Sequence, residues 1–222
     1  MKTSVFWAEL MGTFALVFAG TGAIVVDSVT HGAVTHVGVA LTFGLVVLAM
    51  IYTVGEVSGA HLNPAVTLGF VVAGRLPAER AGVYMLAQLI GALLASVALR
   101  WIFPESSTLG ATVPAGPAGQ SFALEFLLTF FLMQAILNVS RGAQEKGITA
   151  GIVVGSVIAL EALFAGPISG ASMNPFRSLA PALLEGELGS VWIYLLAPVL
   201  GAVAASPVCR LIHGPNCCGL AR

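Results

Sequence analysis

Charged residues are scarce in this chain, where Asp, Glu, Lys and Arg together make up 9% of 222 residues. Soluble globular domains carry about 25% of such residues, so this scarcity excludes an ordinary soluble domain. Hydrophobic residues supply 58% of the chain and the mean hydropathy is +0.98, which predicts an integral membrane protein. The formal net charge of -1 offers no positive surplus for phosphate groups, so no nucleic-acid partner is expected.

Cysteine is also scarce, and its three copies all lie near the C-terminus, at Cys209, Cys217 and Cys218. An odd number without framework spacing predicts no disulfide scaffold. Cys217 and Cys218 are soft ligands that suit trivalent arsenic, but we favour a reduced, flexible tail without a ligand. The chain also lacks a metal-ligand spacing, a glycine-rich phosphate loop and an arrangement of nucleophile and base. We therefore expect no metal, no cofactor and no enzymatic activity.

Six apolar runs are long enough to cross a bilayer as helices. The first is predicted to be a span and not a cleavable signal, because it is too long for one and Glu9 interrupts it. The six predicted spans lie near residues 4–26, 37–55, 80–102, 121–140, 147–165 and 190–212.

Two copies of one motif lie between these spans, SGAHLNPA at residues 58–65 and SGASMNPF at residues 169–176. Asn is a strong N-cap and Pro suits the first helical position, so each copy predicts the start of a helix. The helices that follow, 65–73 and 176–184, are each about 15 Å long, which is half of a bilayer core. Two such half-helices that meet end to end would cross the membrane once.

The repeat extends beyond the motif, because residues 9–14 match 125–130 and residues 84–92 match 194–202. Each half holds three spans, an odd number, so the halves enter the membrane from opposite sides. We therefore predict an all-α membrane protein with six transmembrane helices and two re-entrant half-helices in an inverted repeat. The repeats cover about 1–102 and 121–212, and a loop of about 103–120 joins them into one channel domain, 1–222.

Basic residues predict the orientation of this domain in a cell (inner) membrane. With both termini in the cytoplasm, seven basic residues lie inside and two lie outside, and the 103–120 loop becomes external. The inside set is Lys2, Arg75, Arg80, Arg141, Lys146, Arg210 and Arg222, and the outside set is Arg100 and Arg177.

The paired Asn-Pro motifs, Arg177 three residues after the second Asn, and Glu9 and Glu125 at matching places resemble the aquaporin, or major intrinsic protein, family over nearly the whole chain. Residues 165–175 (AGPISGASMNP) resemble the nodulin-26-like subgroup and its bacterial relatives, some of which accompany arsenic resistance. The resemblance implies an aquaporin-like fold and a homotetramer with one pore in each subunit.

The amide groups of Asn63 and Asn174 are predicted to form the centre of the pore. If each side-chain oxygen caps its helix, the NH2 group remains as a donor to the lumen. Water held through its oxygen there cannot continue a proton wire, and two positive helix ends repel cations. Two ordinary core caps would not explain why the copies occupy matching places in the repeat.

The extended runs before each Asn are predicted to line the lumen with backbone carbonyls, because irregular backbone at membrane depth is tolerated beside water. His61 is expected to be a packed loop residue and not a proton shuttle. The predicted carbonyls belong to Gly59, Ala60, His61, Leu62, Gly170, Ala171, Ser172 and Met173.

By resemblance, Arg177 belongs to an outer selectivity filter with Phe43, Ala162 and Ala171. Strict water channels of the family generally carry a His where this chain has Ala162, so the filter should be wider and more apolar. The hypothesis is a passive channel for water and small uncharged solutes, with glycerol and arsenous acid as models. The alternatives are a strict water channel, a coupled secondary transporter, which would need titratable groups at the midplane, and a structural membrane protein.

Glu9 and Glu125 are intramembrane carboxylates, which are functional candidates by default. We favour a structural role, in which each accepts hydrogen bonds from a re-entrant loop.

Three other residues leave alternatives open. Phe176, a large ring where a small Ala is usual, must enter the lumen, the turn at Pro64 or a subunit contact. Glu56 is a solvated vestibule residue or a pH-sensitive gate, the former being favoured, and Glu161 is expected to bond to an external loop or an adjacent subunit.

Overall fold

The structure is a computed structural model that describes residues 2–140 and 144–214. Within these ranges the chain forms helices and no strand. The expectation of a reduced tail at Cys217 and Cys218 lies outside the described residues. The helices are α1 Lys2–Val29, α2 Thr35–Ser58, α3 Pro64–Val72, α4 Ala78–Ile102, α5 Ala118–Val139, α6 Gln144–Ser169, α7 Pro175–Glu185 and α8 Val191–His213.

Six of these helices are long and apolar enough to cross a membrane, and they coincide with the six predicted spans. Large apolar side chains such as Leu45, Phe131 and Leu196 are exposed on the outer faces of the bundle. An apolar outer surface of this kind suits lipid, which is as apolar as the side chains themselves. The fold is therefore that of a multi-pass membrane protein.

The helix α6 ends later than predicted, at Ser169 and not near residue 165. Pro167 lies within the additional residues of the helix, and proline lacks the N–H that would bond to the carbonyl four residues earlier. That carbonyl belongs to Leu163, and the Nε2 of His36 donates to it instead, at 2.8 Å. A side chain from α2 thus satisfies the group that the proline leaves unpaired.

Cys209 is buried and disulfide-bonded, a single bond that the sequence did not predict. Cysteine pairing depends on proximity in the fold, which the spacing of three cysteines along the chain does not encode.

The two halves of the bundle have the same arrangement, with α1 against α4 in the first and α5 against α8 in the second. Glycines allow the same close approach in both. A Cβ on Gly91 would lie 2.4 Å from the Leu10 carbonyl oxygen, and one on Gly201 would lie 2.2 Å from that of Phe126. The half-helix of each half packs on the other half, α3 against α8 and α7 against α4. This is the predicted inverted repeat.

The central helices α2 and α6 join the halves through a reciprocal glycine contact. A Cβ on Gly44 would lie 2.5 Å from the carbonyl oxygen of Gly155, and a Cβ on Gly155 would lie 2.6 Å from that of Gly44. Real Cβ atoms do not approach backbone oxygens so closely, so both positions require glycine. The two re-entrant loops lie beside this contact and form the site described next.

Candidate functional site

The half-helices α3 and α7 each begin at an asparagine that caps the first turn. The Oδ1 of Asn63 accepts from the backbone N–H of Ala65 at 2.8 Å. The Oδ1 of Asn174 accepts from the N–H groups of Phe176 at 3.1 Å and Arg177 at 3.3 Å. Pro64 and Pro175 follow at the first helical position of each helix. Both helix starts therefore agree with the Asn-Pro pattern in the sequence.

The same two asparagines bind the loops of opposite halves to each other. The Nδ2 of Asn63 donates to the Met173 carbonyl at 2.7 Å, and the Nδ2 of Asn174 donates to the Leu62 carbonyl at 2.9 Å. Each amide NH2 carries two hydrogens, so one is used in this contact and the other remains. The contact between the loops differs from the prediction that the whole NH2 group faces the lumen.

The loop backbone differs from the expectation of an extended chain. The run 59–62 and the run 170–173 are not helical, but Ala60, Leu62, Ala171 and Met173 have φ between 41 and 53°. A positive φ costs a non-glycine residue about 1–3 kcal/mol, so the surroundings must hold this conformation. In each loop consecutive backbone amides turn towards one carboxylate, which supplies that constraint.

Glu9 is the carboxylate for the first loop, and it is fully buried. Its Oε1 accepts from the Ser58 hydroxyl at 2.6 Å and the N–H of His61 at 2.9 Å. Its Oε2 accepts from the N–H of Leu62 and from the Nε2 of Gln88, both at 2.8 Å. The carboxylate thus takes the place of solvent for the buried donors of this run.

Glu125 occupies the matching place in the second half and is also fully buried. Its Oε1 accepts from the Ser169 hydroxyl and from the N–H of Ser172, and its Oε2 accepts from the N–H of Met173, each at 2.8 Å. The repeat has Pro198 at the place of Gln88, and proline cannot supply the amide donor that Gln88 gives to Glu9. The two carboxylates thus bind their loops in the same way, but Glu9 also accepts from a side-chain amide, for which the second half has a proline.

Two tyrosines, which were not among the predicted functional residues, each close the base of one loop. The hydroxyl of Tyr84 donates to the Ser58 carbonyl, and that of Tyr194 donates to the Ser169 carbonyl, both at 2.7 Å. The signal was in the sequence, since Tyr84 and Tyr194 open the repeated runs 84–92 and 194–202. His61 packs between aromatic rings, with its centroid 4.5 Å from those of Phe70 and Tyr84.

An elongated cavity of about 100 Å³ runs past both asparagines between the two halves. Polar groups of the two loops and Arg177 of α7 line part of it, and apolar side chains of α1, α2, α3, α5 and α6 line most of the rest. Gly170 and Ala162 do not line it, although both were predicted to face the lumen. The predicted residues that do are Phe43, Gly59, Ala60, His61, Leu62, Asn63, Ala171, Ser172, Met173, Asn174 and Arg177.

Ala162 is buried and packs in an apolar cluster that also contains Ala171 and is in contact with Phe43. Its side chain is a single methyl group, and it does not line the cavity. Gly170 packs closely against Thr112, because a Cβ on Gly170 would lie 2.9 Å from the Thr112 side chain.

Arg177 and Phe43 form a wall at one end of the cavity. The Cζ of Arg177 lies 5.1 Å from the centroid of the Phe43 ring, and only 1% of Arg177 is exposed. The Nη1 of Arg177 donates to the Gly110 carbonyl at 3.0 Å, while its Nε is buried without a hydrogen-bond partner. A buried donor without a partner is costly, and Arg177 lies at the cavity wall in spite of that cost.

Two glycines hold this wall, and sequence reasoning identified neither. A Cβ on Gly20 would lie 2.1 Å from the Phe43 ring, so the ring rests directly on the backbone of α1. Gly110 has φ +70 and also lies close to a neighbour, with a Cβ position 2.8 Å from Thr21. The contacts join distant parts of the chain, so no local pattern predicts them.

The three residues with open alternatives occupy different environments. Phe176 is half-buried against the apolar cluster and does not line the cavity. Glu56 is exposed. Glu161 is buried and its Oε2 has no hydrogen-bond partner, so the expected bond to a loop of the same chain is absent for this atom.

The fold and the two facing asparagine-capped half-helices define a membrane protein with a narrow path between two inverted halves. Residues 2–208 match the family model of the major intrinsic proteins, and the chain belongs to that family, the aquaporin channels. It is 52% identical to aquaporin NIP1-4 of Oryza sativa subsp. japonica over 207 residues, which cover 93% of this chain and 76% of that protein.

Two further comparisons support the same assignment. The chain is 44% identical to nodulin-26 of Glycine max over 207 residues, which cover 93% of this chain and 76% of that protein. Its fold matches the crystal structure of the aquaglyceroporin from Plasmodium falciparum with a TM-score of 0.88, at 24% identity, over 98% of this chain and 99% of that one. The relatives are of nodulin-26 type, as the sequence indicated.

Proposed function

We propose that this chain is a passive channel for water and small uncharged solutes, with glycerol-like polyols and metalloid acids such as arsenous acid as model solutes. The observation that carries the proposal is the wall formed by Arg177 and Phe43. The guanidinium of Arg177 lines the cavity and would supply N–H donors to a solute hydroxyl, while the Phe43 ring would accommodate a carbon chain. Ala171 contributes only a methyl group to the cavity wall, and Ala162 packs in the apolar cluster beside it, so neither side chain narrows the path, which favours solutes wider than water.

The composition of the cavity wall supports the same class of solute. Hydroxyl groups of a polyol would bond to the carbonyls of the two loops, and its carbon chain would face apolar side chains such as Val47, Leu132 and Ile158. Trihydroxy metalloid acids are neutral and present hydroxyls in a similar arrangement. A cation would lose its hydration without a compensating negative charge in the cavity wall, which costs several kcal/mol.

Exclusion of protons and ions is assigned to the centre of the path. The second amide hydrogens of Asn63 and Asn174 would orient a passing water through its oxygen, and the N-termini of α3 and α7 add positive potential there. Glu9 and Glu125 are proposed to brace the loops and to take no part in transport. No catalytic step, cofactor or metal is needed for this function.

We place the channel in a cell (inner) membrane with both termini in the cytoplasm, as the distribution of basic residues favours. Residues 1–222 are proposed to form one domain, and four copies are proposed to assemble with one pore each. The exposed apolar faces of the spans would then contact lipid or a second copy. Membership of a bacterial branch of the subgroup remains a proposal on the same resemblance.

Flux through proteoliposomes tests the proposal. Purified protein is reconstituted, and stopped-flow light scattering follows water efflux and the uptake of glycerol and urea, with arsenous acid measured separately by arsenic content. We expect water, glycerol and arsenous acid to permeate, with no collapse of an imposed proton gradient. Water permeation without glycerol or arsenous acid would leave a strict water channel. Uptake that depends on the proton gradient would favour a coupled transporter.

A further inference from the structure

We propose that Arg100 is a positioning residue for the outer filter, because its guanidinium ties together the two segments that hold Arg177 in place. The inference rests on the proposed function, since the filter is the site whose selectivity it would set. Arg100 lies in the last turn of α4 and does not line the cavity. Its effect would pass through the connector, which we define as residues 103–117 between α4 and α5.

Two segments determine where the Arg177 side chain lies. The first is α7, which carries Arg177 and the neighbouring Ser178. The second is the connector, whose Gly110 carbonyl accepts from the Nη1 of Arg177 at 3.0 Å. The connector also binds α7 directly, because the hydroxyl of Thr112 donates to that of Ser178 at 2.7 Å. A shift of the connector relative to α7 would therefore move the filter arginine.

Arg100 bonds to both of these segments at once. Its Nη1 donates to the Ser106 carbonyl of the connector at 2.8 Å, and its Nη2 forms an ion pair with Glu185 at the end of α7. The planar guanidinium can hold two acceptors in a fixed relation, which a lysine ammonium does less well. The side chain of Glu185 is only 10% exposed, whereas that of Arg100 is 36% exposed.

The position of Glu185 supports a specific role for this ion pair. Glu185 is the last residue of α7, where the partial negative charge of the helix dipole disfavours a carboxylate. A carboxylate that is also largely buried needs a compensating charge, and Arg100 provides it. Arg100 itself suits the C-terminal turn of α4, where a cation is favoured. The pair therefore balances two helix ends while it joins them.

The connector between Ser106 and Gly110 has little freedom to absorb a change at its anchor. The Ser106 hydroxyl accepts from the N–H of Leu109 at 3.3 Å, and Leu109 is fully buried. Leu109 and Gly110 have φ of 43 and 70° in succession, a conformation that persists only when the surroundings hold it. Loss of the Arg100 contacts should relax this turn and release the carbonyl that fixes Arg177.

The inverted repeat supplies a matched control in Arg210. It lies 110 residues after Arg100, at the equivalent place in the last turn of α8. Its Nη2 approaches the Val72 carbonyl at the end of α3, at 3.4 Å. Arg210 therefore ties a long helix to a half-helix as Arg100 does, but at the end of the path away from Arg177. A general effect of lost helix anchoring should appear when either arginine is substituted. An effect on the selectivity of the filter should appear only when Arg100 is substituted.

The test compares Arg100→Gln, Glu185→Gln and Arg210→Gln with the unmodified channel in proteoliposomes, together with the charge exchange Arg100→Glu/Glu185→Arg. The readout is the ratio of erythritol to water permeability, because erythritol is one carbon longer than glycerol and tests the width of the filter. Dividing by water permeability removes differences in the amount of folded protein. We expect the ratio to rise about three- to tenfold in Arg100→Gln and Glu185→Gln, the factor for loss of one ordinary hydrogen bond.

The charge exchange restores the ion pair but leaves the Ser106 carbonyl without its donor, so it should return the ratio only part of the way to that of the unmodified channel, and Arg210→Gln should leave the ratio unchanged. Equal ratios in all variants would overturn the proposal, as would an equal rise in Arg210→Gln. If Arg100→Gln does not reconstitute, Glu185→Gln decides the matter by the same criterion. An unmodified channel that passes water but no glycerol would refute the proposed solutes but not the positioning role of Arg100. In that case a gain of glycerol flux in Arg100→Gln and Glu185→Gln would test the positioning role.

Discussion

Single buried side chains hold irregular backbone inside this membrane protein. Glu125 accepts three hydrogen bonds from the second loop, and Glu9 accepts four hydrogen bonds from donors in and around the first loop. Loop amides cannot be satisfied by lipid, so these carboxylates replace the water that would otherwise solvate them. The residues that look most suited to transport chemistry are therefore engaged in contacts within the protein.

Replacing Glu125 with Ala should prevent stable folding and not merely reduce flux. The change leaves the hydroxyl of Ser169 and the N–H groups of Ser172 and Met173 without an acceptor, at about 1–3 kcal/mol for each buried donor. Glu125→Gln keeps one acceptor oxygen and should be intermediate. Thermal unfolding in detergent, followed by size-exclusion chromatography, measures the order. The exposed Glu187→Ala is the control, and a Glu125→Ala protein as stable as that control would exclude the bracing role.

Replacing Ala162 with His should narrow the solute range. Ala162 stops short of the cavity, so a longer ring at this position would extend towards Phe43 and Arg177 and would add a second donor. We expect glycerol permeability to fall by at least about tenfold, as for other steric discrimination in a fitted site, while water permeability is kept. Stopped-flow light scattering on the same vesicles measures both. A parallel loss of water and glycerol would indicate a blocked or misfolded channel instead.

At the scale of the element, the half-helices are defined by their first residues. Each asparagine caps its own helix and also bonds to the loop of the other half, so one side chain has two structural tasks. The two tasks use different atoms, the Oδ1 for the cap and the Nδ2 for the cross-contact. A change that alters only one of these atoms can separate them.

Asn63→Asp makes that separation, because Asp remains a good N-cap but replaces the donor with a second oxygen. The new carboxylate would face the Met173 carbonyl without a hydrogen between them. We expect a loss of about 3–5 kcal/mol, as for an unpaired buried charge, seen as a lower thermal midpoint in detergent. The control is Asn138→Asp, which removes only a local bond to the Gln134 carbonyl. Equal midpoints for the two variants would contradict the cross-contact.

The elements also show which features the sequence encodes. The six spans and both helix starts were predictable, because hydropathy and the Asn-Pro pattern are local signals. The end of α6 was not predictable, because Pro167 lacks an N–H donor for the Leu163 carbonyl. His36, from the distant helix α2, supplies that donor. The positive φ of Ala60 and Leu62 has no residue signal either, because buried carboxylates impose it. A bond to a backbone carbonyl, such as that of Arg177 to Gly110, does not depend on the side chain of the accepting residue. The sequence therefore does not reveal it.

At the scale of the whole molecule, the two halves meet without intervening side chains at Gly44 and Gly155. Each glycine faces the carbonyl oxygen of the other, so the central pair of helices is as close as backbones allow. Close approach through glycine is a common means of helix association in membranes. The spacing of α2 and α6 then fixes the width of the path that lies between the halves.

Gly44→Ala and Gly155→Ala should destabilise the channel to a similar extent, because the two contacts are reciprocal. An added methyl would overlap a backbone oxygen, and overpacking of this kind costs about 1–3 kcal/mol. Thermal midpoints in detergent provide the measurement. Gly119→Ala serves as the control, since nothing lies within 4 Å of a Cβ there. A large difference between the two central variants would show that the contact is not shared equally.

The bonds between the two loops also impose an order on biosynthesis. Asn63 depends on a carbonyl 110 residues later in the chain, so the first half leaves the ribosome with its central amide unsatisfied. Unpaired polar groups at membrane depth cost several kcal/mol, which keeps the early loop hydrated or held by the insertion machinery. The pore can close only after the second loop has been inserted from the opposite side. A chain truncated before residue 173 would therefore be a substrate for quality control and not a half-channel.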